Sequence, residues 1–245
     1  MLQTQTLEGF GLTLDDLQKT LFDRLEQRLP SDCQKALLMQ HRMVPAIGDL
    51  ISQCFYDGRL QSASRAADTT FIKVLPKPVT WVTTARMLDR FEVQTHQSYS
   101  NPCEARTILQ LLKKLNNVAN IENRRFSVVV LSGYREQKED IDRTLASVIR
   151  QLTALDIESN PVDAFQGREA DIALYSVTRS NRNGLIGFLR EGKRLNVALS
   201  RGRQYLVLVG DHAFCREAIG ENPFKKVLEY IECHPDSCSI REAQL

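Results

Sequence analysis

Two segments between Val162 and Arg203 carry residue types that suit an anion. The first, VDAFQGREAD (162–171), places Gly167, which permits close backbone approach, two residues before Glu169, which offers two acceptor oxygens. The second, RLNVALSRGR (194–203), ends in Arg201 and Arg203, behind Leu195, Ala198 and Leu199 at helical spacing. A third candidate is Arg42, set between a short apolar stretch and a helix opened by Pro45. A guanidinium at the rim of a sheet can neutralise a transferring phosphoryl group; elsewhere on a surface it forms an ordinary salt bridge. Polar loops that abut buried strands are where α/β proteins hold their ligands. The first two segments, each rich in groups that suit phosphates, argue for an anionic ligand.

The elements that must position them alternate. Thr13 and Asp16 suit the cap of a helix with Leu14, Leu17, Leu21 and Leu25 on one stripe. Residues 36–39 read as a short strand, and Pro45 starts a helix reaching about Tyr56. Residues 57–78 lack a clear period and are expected to be irregular, with one short strand near Phe71. VTWVTT (79–84) is a strand by its β-branched content, followed by a polar loop to Asn101 and a helix from Pro102. The continuous apolar run 126–131 predicts a strand buried on both faces. After Tyr134 a helix carries Ile141, Leu145, Val148, Ile149 and Leu152. Further strands are expected at 158–162, 172–177 and 205–209, and helices at 213–219 and 223–231. This alternation predicts an α/β doubly wound parallel sheet.

With 245 residues, 42% of them hydrophobic, the chain can bury one large core or two modest ones. No apolar run is long enough to cross a bilayer and no signal peptide is evident, so a soluble cytoplasmic protein (nuclear in a eukaryote) with no membrane partner is expected. The six cysteines are scattered through helical segments and read as buried thiols, not a disulfide framework. Cys233, His234 and Cys238 fall short of a closed zinc site, so no metal site is expected. Net charge is only +2, but residues 179–203 hold seven Lys or Arg against one acid. Such a run is either a solvated face or a surface turned to phosphates.

Four segments, in order, resemble motifs of superfamily-1 helicases of the up-frameshift type, which are ATP-driven translocases on RNA or DNA. LLMQHRMVPAIGDLISQCFYDGRL (37–60) is similar to their motif IV, and VVVLSGYREQ (128–137) to the strand and loop after it. VDAFQGREAD resembles motif V and RLNVALSRGR motif VI. The resemblance implies a RecA-like fold of the P-loop NTPase superfamily, with helices on both sheet faces. It implies phosphate-sensing roles for Arg42 and Arg201, a ribose-accepting role for Glu169, and a nucleotide site that includes His41 and Gly167. It also implies that Tyr134, Gln137, Asp163 and Gln166 face a single-stranded DNA or RNA. Thr178, Arg179 and Asn181 extend that face and suit phosphates; Phe165 is either core or a stacking platform. The sequence departs from the family at His41, where tyrosine is usual, at Gly133 for proline, and in Ser-Arg-Gly for Thr-Arg-Ala.

GFLREGKR (187–194) has the glycine and lysine spacing of a P-loop, but Arg194 stands where a hydroxyl would hold Mg²⁺ and no strand leads into it. The resemblance therefore covers the second lobe of a two-lobe motor. Its cofactor would be ATP with Mg²⁺, the ion held mainly by an N-terminal RecA-like lobe supplied in cis or in trans. The expected organisation is a helical lead-in (1–30), a RecA-like C-terminal motor domain (31–232) and a tail (233–245). The alternative is a free-standing nucleic-acid-binding or regulatory module that does not hydrolyse ATP.

Overall fold

The structure, a computed structural model, describes residues 28–243 with the exception of Gln166. The helix expected around Leu14 to Leu25 lies outside the described residues. The chain divides into two compact units, residues 1–37 and 38–245. In the first, the described part holds a single 3-10 turn, Ser31–Cys33.

The second unit is built on a six-stranded, wholly parallel sheet. Its strands are β3 (Val79–Thr83), β6 (Phe126–Ser132), β7 (Leu155–Pro161), β8 (Ala170–Ser176), β9 (Gly202–Gly210) and β10 (Cys238–Glu242), in the order β10-β3-β9-β8-β6-β7. Parallel strands need crossovers, and these are supplied by α1 (Pro45–Phe55), α2 (Pro102–Ile121), α3 (Arg135–Ala146), α4 (Gly192–Leu199), α5 (His212–Glu217) and α6 (Pro223–Cys233). Two minor pairs complete it: β1 (Met39–Gln40) with β2 (Gln61–Ser62), and the ribbon of β4 (Val93–Thr95) with β5 (Ser98–Ser100).

The period of two along each strand explains the double layer. Val129, Leu131, Leu206 and Leu208 face a core shared with α1, α4, α5 and α6. Their neighbours Val128, Val130, Val207 and Val209 face the opposite core, shared with α2 and α3. Both faces are covered, which is why these strands read as unbroken apolar runs. Capping fixes where helices begin: Asn101, Asp211 and Asn222 accept the backbone N–H of Glu104, Phe214 and Phe224 respectively.

Three expectations give way. Phe71 lies in a turn, not a strand; it is fully buried and packs edge-on against Phe126 and Tyr205, so packing, not pairing, explains its apolar character. The polar loop before Asn101 contains the β4–β5 ribbon. The segment set apart as a tail supplies β10, which pairs with β3 throughout its length. Among the described residues no helix is long and apolar enough to cross a membrane.

Candidate functional site

Topology gathers the first group of candidates at the edge where strands β8 and β9 begin. Ala170 and Gly202 are register partners, so Glu169 and Arg201, the residues just before them, start adjacent strands. Arg42 joins them because the backbone N–H of Val44 donates to the Arg203 carbonyl at 2.9 Å, pinning the loop before α1 to β9. His41 precedes Arg42 and is exposed.

Glu169 sits between two guanidinium groups. Arg42 donates through Nε at 3.0 Å and Arg203 through Nη1 at 3.5 Å. Arg203 continues the chain to Asp171 at 2.7 Å. Burial opposes ionisation of Asp171, but hydrogen bonds from the Ser127 backbone and hydroxyl and from Arg203 hold its carboxyl below the ordinary range. Arg42 also donates to the Ser200 carbonyl at 3.2 Å, and Arg65 donates to the Arg42 carbonyl at 2.6 Å.

Arg201 differs from its neighbours. It is buried, and among the described residues its donors reach only neutral acceptors: the carbonyls of Val197 (2.7 Å) and Arg168 (3.1 Å) and the Ser200 hydroxyl (3.0 Å). Burial, and then the charge of Arg42, lower its pKa, with Glu169 acting in the opposite sense. A buried cation without a carboxylate in contact is costly unless an anion completes it. The Nε of Arg203 is likewise buried and has no acceptor among the described residues. These donors fit phosphate oxygens. They do not fit a divalent cation, and the described residues contain no cluster of three or more His, Cys, Asp or Glu that could hold one.

Gly167 has φ of +81°, and a Cβ placed there would meet nothing within 4 Å. The glycine serves a left-handed turn, and the space beside it is open. Gly167→Ala is expected to cost about 1 kcal/mol in denaturant unfolding, and Gly167→Asn less, because asparagine tolerates this region better. Equal stability of Gly167→Ala and the parent would remove the turn from the account.

The second group of candidates belongs to the opposite edge, where strands end, and most of it is interior. Tyr134 is buried, edge-on to Tyr99, and its hydroxyl accepts from Arg179 at 3.0 Å. Gln137 is fully buried and spends its amide on the Asn101 backbone and the Ser176 hydroxyl. Arg179 is buried too, paired with Glu92 at 2.9 Å and lying 4.0 Å over the Tyr99 ring. Burial works against its charge, but Glu92 and Tyr134 raise its pKa above the ordinary value. Expected as contacts to a nucleic acid, these three side chains are committed inside the protein. Phe165 is core.

Thr178 is buried with φ of +71°, a region that costs a β-branched residue about 1–3 kcal/mol. Its N–H donates to Glu104 Oε2 at 2.8 Å, its carbonyl accepts from Asn101 at 3.1 Å, and its hydroxyl meets that of Ser132 at 3.1 Å. Glu104, on the first turn of α2, is the residue that sequence reasoning missed. The signal was present, since Asn101 and Glu104 have the spacing of an N-cap and the third helical position. Burial pushes the Glu104 carboxyl up to about 8, against hydrogen bonds from Ser176 and Thr178 that favour its ionised form.

Asp163 remains open to solvent, in the 3-10 turn Val162–Phe165 after β7, and pairs with Arg194 at 2.7 Å. Residues 162–169 thus run from the end of β7 at one edge to the start of β8 at the other. Gln166, within this crossing, lies outside the described residues.

An AAA-domain family matches residues 17–213. The chain is 31% identical over 217 residues to DNA polymerase alpha-associated DNA helicase A of Saccharomyces cerevisiae, covering 81% of this chain and 31% of that protein. It is 32% identical over 201 residues to the Regulator of nonsense transcripts 1 homolog of Neurospora crassa, covering 80% and 18% respectively. With the 5'-3' DNA helicase ZGRF1 of Mus musculus it shares 32% identity over 216 residues, covering 86% and 11%. The chain therefore spans a third or less of the length of these relatives.

Proposed function

Since this chain belongs to the AAA-domain family of superfamily-1 helicases, we propose that it works as the C-terminal motor lobe of an ATP-driven helicase acting on DNA or RNA. The observation that carries this reading is Arg201, a buried guanidinium bound among the described residues only by neutral acceptors, beside Arg42 and Arg203. Arg42 and Arg201 would act on the γ-phosphate of ATP, and Glu169 would accept from the ribose, with His41 beside the base. In the structure Glu169 holds Arg42 and Arg203 in place, the arrangement that nucleotide would replace. Mg²⁺ and its ligands would come from an N-terminal lobe, in cis or in trans.

On the opposite edge, Asp163 and Gln166 would respond to a single-stranded nucleic acid. Tyr134, Gln137, Thr178 and Arg179 would support that surface from beneath as positioning residues, since their polar groups are already spent. The 162–169 crossing would couple the two edges, so that grip on the nucleic acid and the state of the phosphates change together.

The test is nucleic-acid-stimulated ATP hydrolysis by a protein that joins this chain to a first lobe. Arg42 is half-exposed, so Arg42→Ala is expected to fold and yet to lose about 10³-fold or more in kcat. A rate within about tenfold of the parent would return Arg42 to a plain surface salt bridge and favour the non-catalytic module.

A further inference from the structure

The two arginines of the phosphate site come from different elements, so their separation depends on how those elements are held together. Arg42 stands in the loop ahead of α1, and Arg201 follows the end of α4. Arg201 moves with α4. Its Nε donates to the Val197 carbonyl at 2.7 Å and its Nη2 to the Ser200 hydroxyl at 3.0 Å, while the Ser200 N–H donates to the Asn196 carbonyl at 3.0 Å. With eight residues, about two turns, α4 is too short to hold itself by propensity, and its contacts decide where it lies. Leu195, Ala198 and Leu199 bury its inner face in the core it shares with α1. That burial sets its depth, but a non-directional force does not fix how a short helix slides or turns along its neighbour.

Polar bonds do, at both ends of α1. At the start, Arg42 Nη1 donates to the Ser200 carbonyl at 3.2 Å, in a loop fixed to β9 by the Val44 N–H on the Arg203 carbonyl at 2.9 Å. At the far end Tyr56, the C-cap residue of α1, accepts at its hydroxyl from Asn196 Nδ2 at 3.0 Å. Asparagine in the middle of a helix is disfavoured by propensity, and here its side chain reaches across to Tyr56. Tyr56 is 41% exposed, so its ring is not kept for the core. It also acts on the charge of Arg201 in the same sense as Glu169, which puts it near the guanidinium. The pin at the start of α1 uses Arg42 itself, the group a phosphate would claim. The Tyr56–Asn196 pin is independent of the ligand.

We propose that the hydrogen bond between Asn196 and Tyr56 sets the position of α4 against α1 and so holds Arg201 in register with Arg42. Tyr56 and Asn196 are then positioning residues of the phosphate site. The inference rests on the reading above, in which Arg42 and Arg201 act on ATP.

The experiment is ATP hydrolysis by the motor that joins this chain to a first lobe, with thermal unfolding of the chain itself alongside. Tyr56→Phe removes one hydroxyl and keeps the ring; Asn196→Ala removes the other partner. Each is expected to lower kcat by about 5- to 100-fold, the scale of a small misplacement of a reacting group, with KM for ATP nearly unchanged. Both are expected to unfold at the temperature of the parent, because the bond lies at the surface. The double variant is no slower than the slower single one, since one bond is lost in all three. In an Arg201→Met background Tyr56→Phe costs nothing further. If both single variants hydrolyse as the parent does, the pin does not position Arg201; the inference falls and the motor reading stands on Arg42→Ala. Losses that add in the double variant, that persist without Arg201, or that come with unfolding many degrees lower also overturn it. If Arg42→Ala itself leaves the rate intact, the inference falls together with the reading beneath it.

Discussion

Arg201→Met, placed in a motor that joins this chain to a first lobe, is expected to hydrolyse ATP about 10³- to 10⁵-fold more slowly than the parent. It is also expected to unfold at the same temperature or a higher one. The two halves of this result come from one feature. Arg201 is buried, its guanidinium is disfavoured first by burial and then by Arg42, and it rests on two carbonyls and a hydroxyl instead of a carboxylate. An arginine kept for packing or stability would have acquired a counter-ion, as Arg179 has in Glu92. Removing an uncompensated charge relieves desolvation, while the lost hydrogen bonds are partly replaced: the Val197 carbonyl still accepts from the Ser200 hydroxyl, and Arg168 is exposed to water. Sites that keep a costly group for function gain stability when it is removed. The checks are steady-state hydrolysis with and without nucleic acid, and thermal unfolding of the isolated chain. A variant that unfolds many degrees lower while hydrolysing normally would make Arg201 a structural residue and end its role as a phosphate sensor.

What was legible in the sequence followed from how strongly each residue's surroundings are dictated by its near neighbours. Strands β6, β8 and β9 are unbroken β-branched and aliphatic runs because both of their faces are covered, and they could be read directly. Strand β10, CSIRE, is short, polar on alternate positions and at the sheet edge, so nothing local separates it from a loop; only its pairing with β3, far away in sequence, makes it a strand. The convergence of Arg42 on Glu169 spans 127 residues and is set by the crossover topology, and motif resemblance alone made both legible. The strand-end polar groups misled for a physical reason. Tyr134, Gln137 and Arg179 carry the polarity expected of an exposed, ligand-facing edge, yet they satisfy one another and the start of α2 beneath the surface. A buried polar network and a solvated binding face have the same composition. They differ in partners, which the sequence does not display.

That network has a titratable centre. Glu104 is wholly buried, and its carboxyl is pushed up to about 8, first by burial and further by the nearby charges of Asp211 and Glu92, each of which is itself paired to an arginine. An unfolded glutamate titrates near its ordinary value of 4.5. The folded state therefore binds the proton more tightly, so the stability linked to this site is fully present below about pH 4.5 and is lost as pH rises through about 8. Each unit of difference corresponds to about 1.4 kcal/mol, so the site removes several kcal/mol across that window. Asp68 and Asp171, whose carboxyls lie below their ordinary values, lose stability only on acidification and leave this window clear. Glu104→Gln keeps an oxygen that accepts from both the Thr178 N–H and the Ser176 hydroxyl, and abolishes the titration. In denaturant melts between pH 5 and 8.5, the parent is expected to lose several kcal/mol while Glu104→Gln keeps only the rise contributed by His212, whose pKa burial lowers, so that the variant is the more stable protein at pH 8.5. Glu104→Ala should be worse than both at every pH, since it strands the Thr178 N–H against a backbone held at φ of +71°. A pH slope that survives intact in Glu104→Gln would mean that the Glu104 carboxyl is already ionised in the fold and that its hydrogen bonds outweigh its burial.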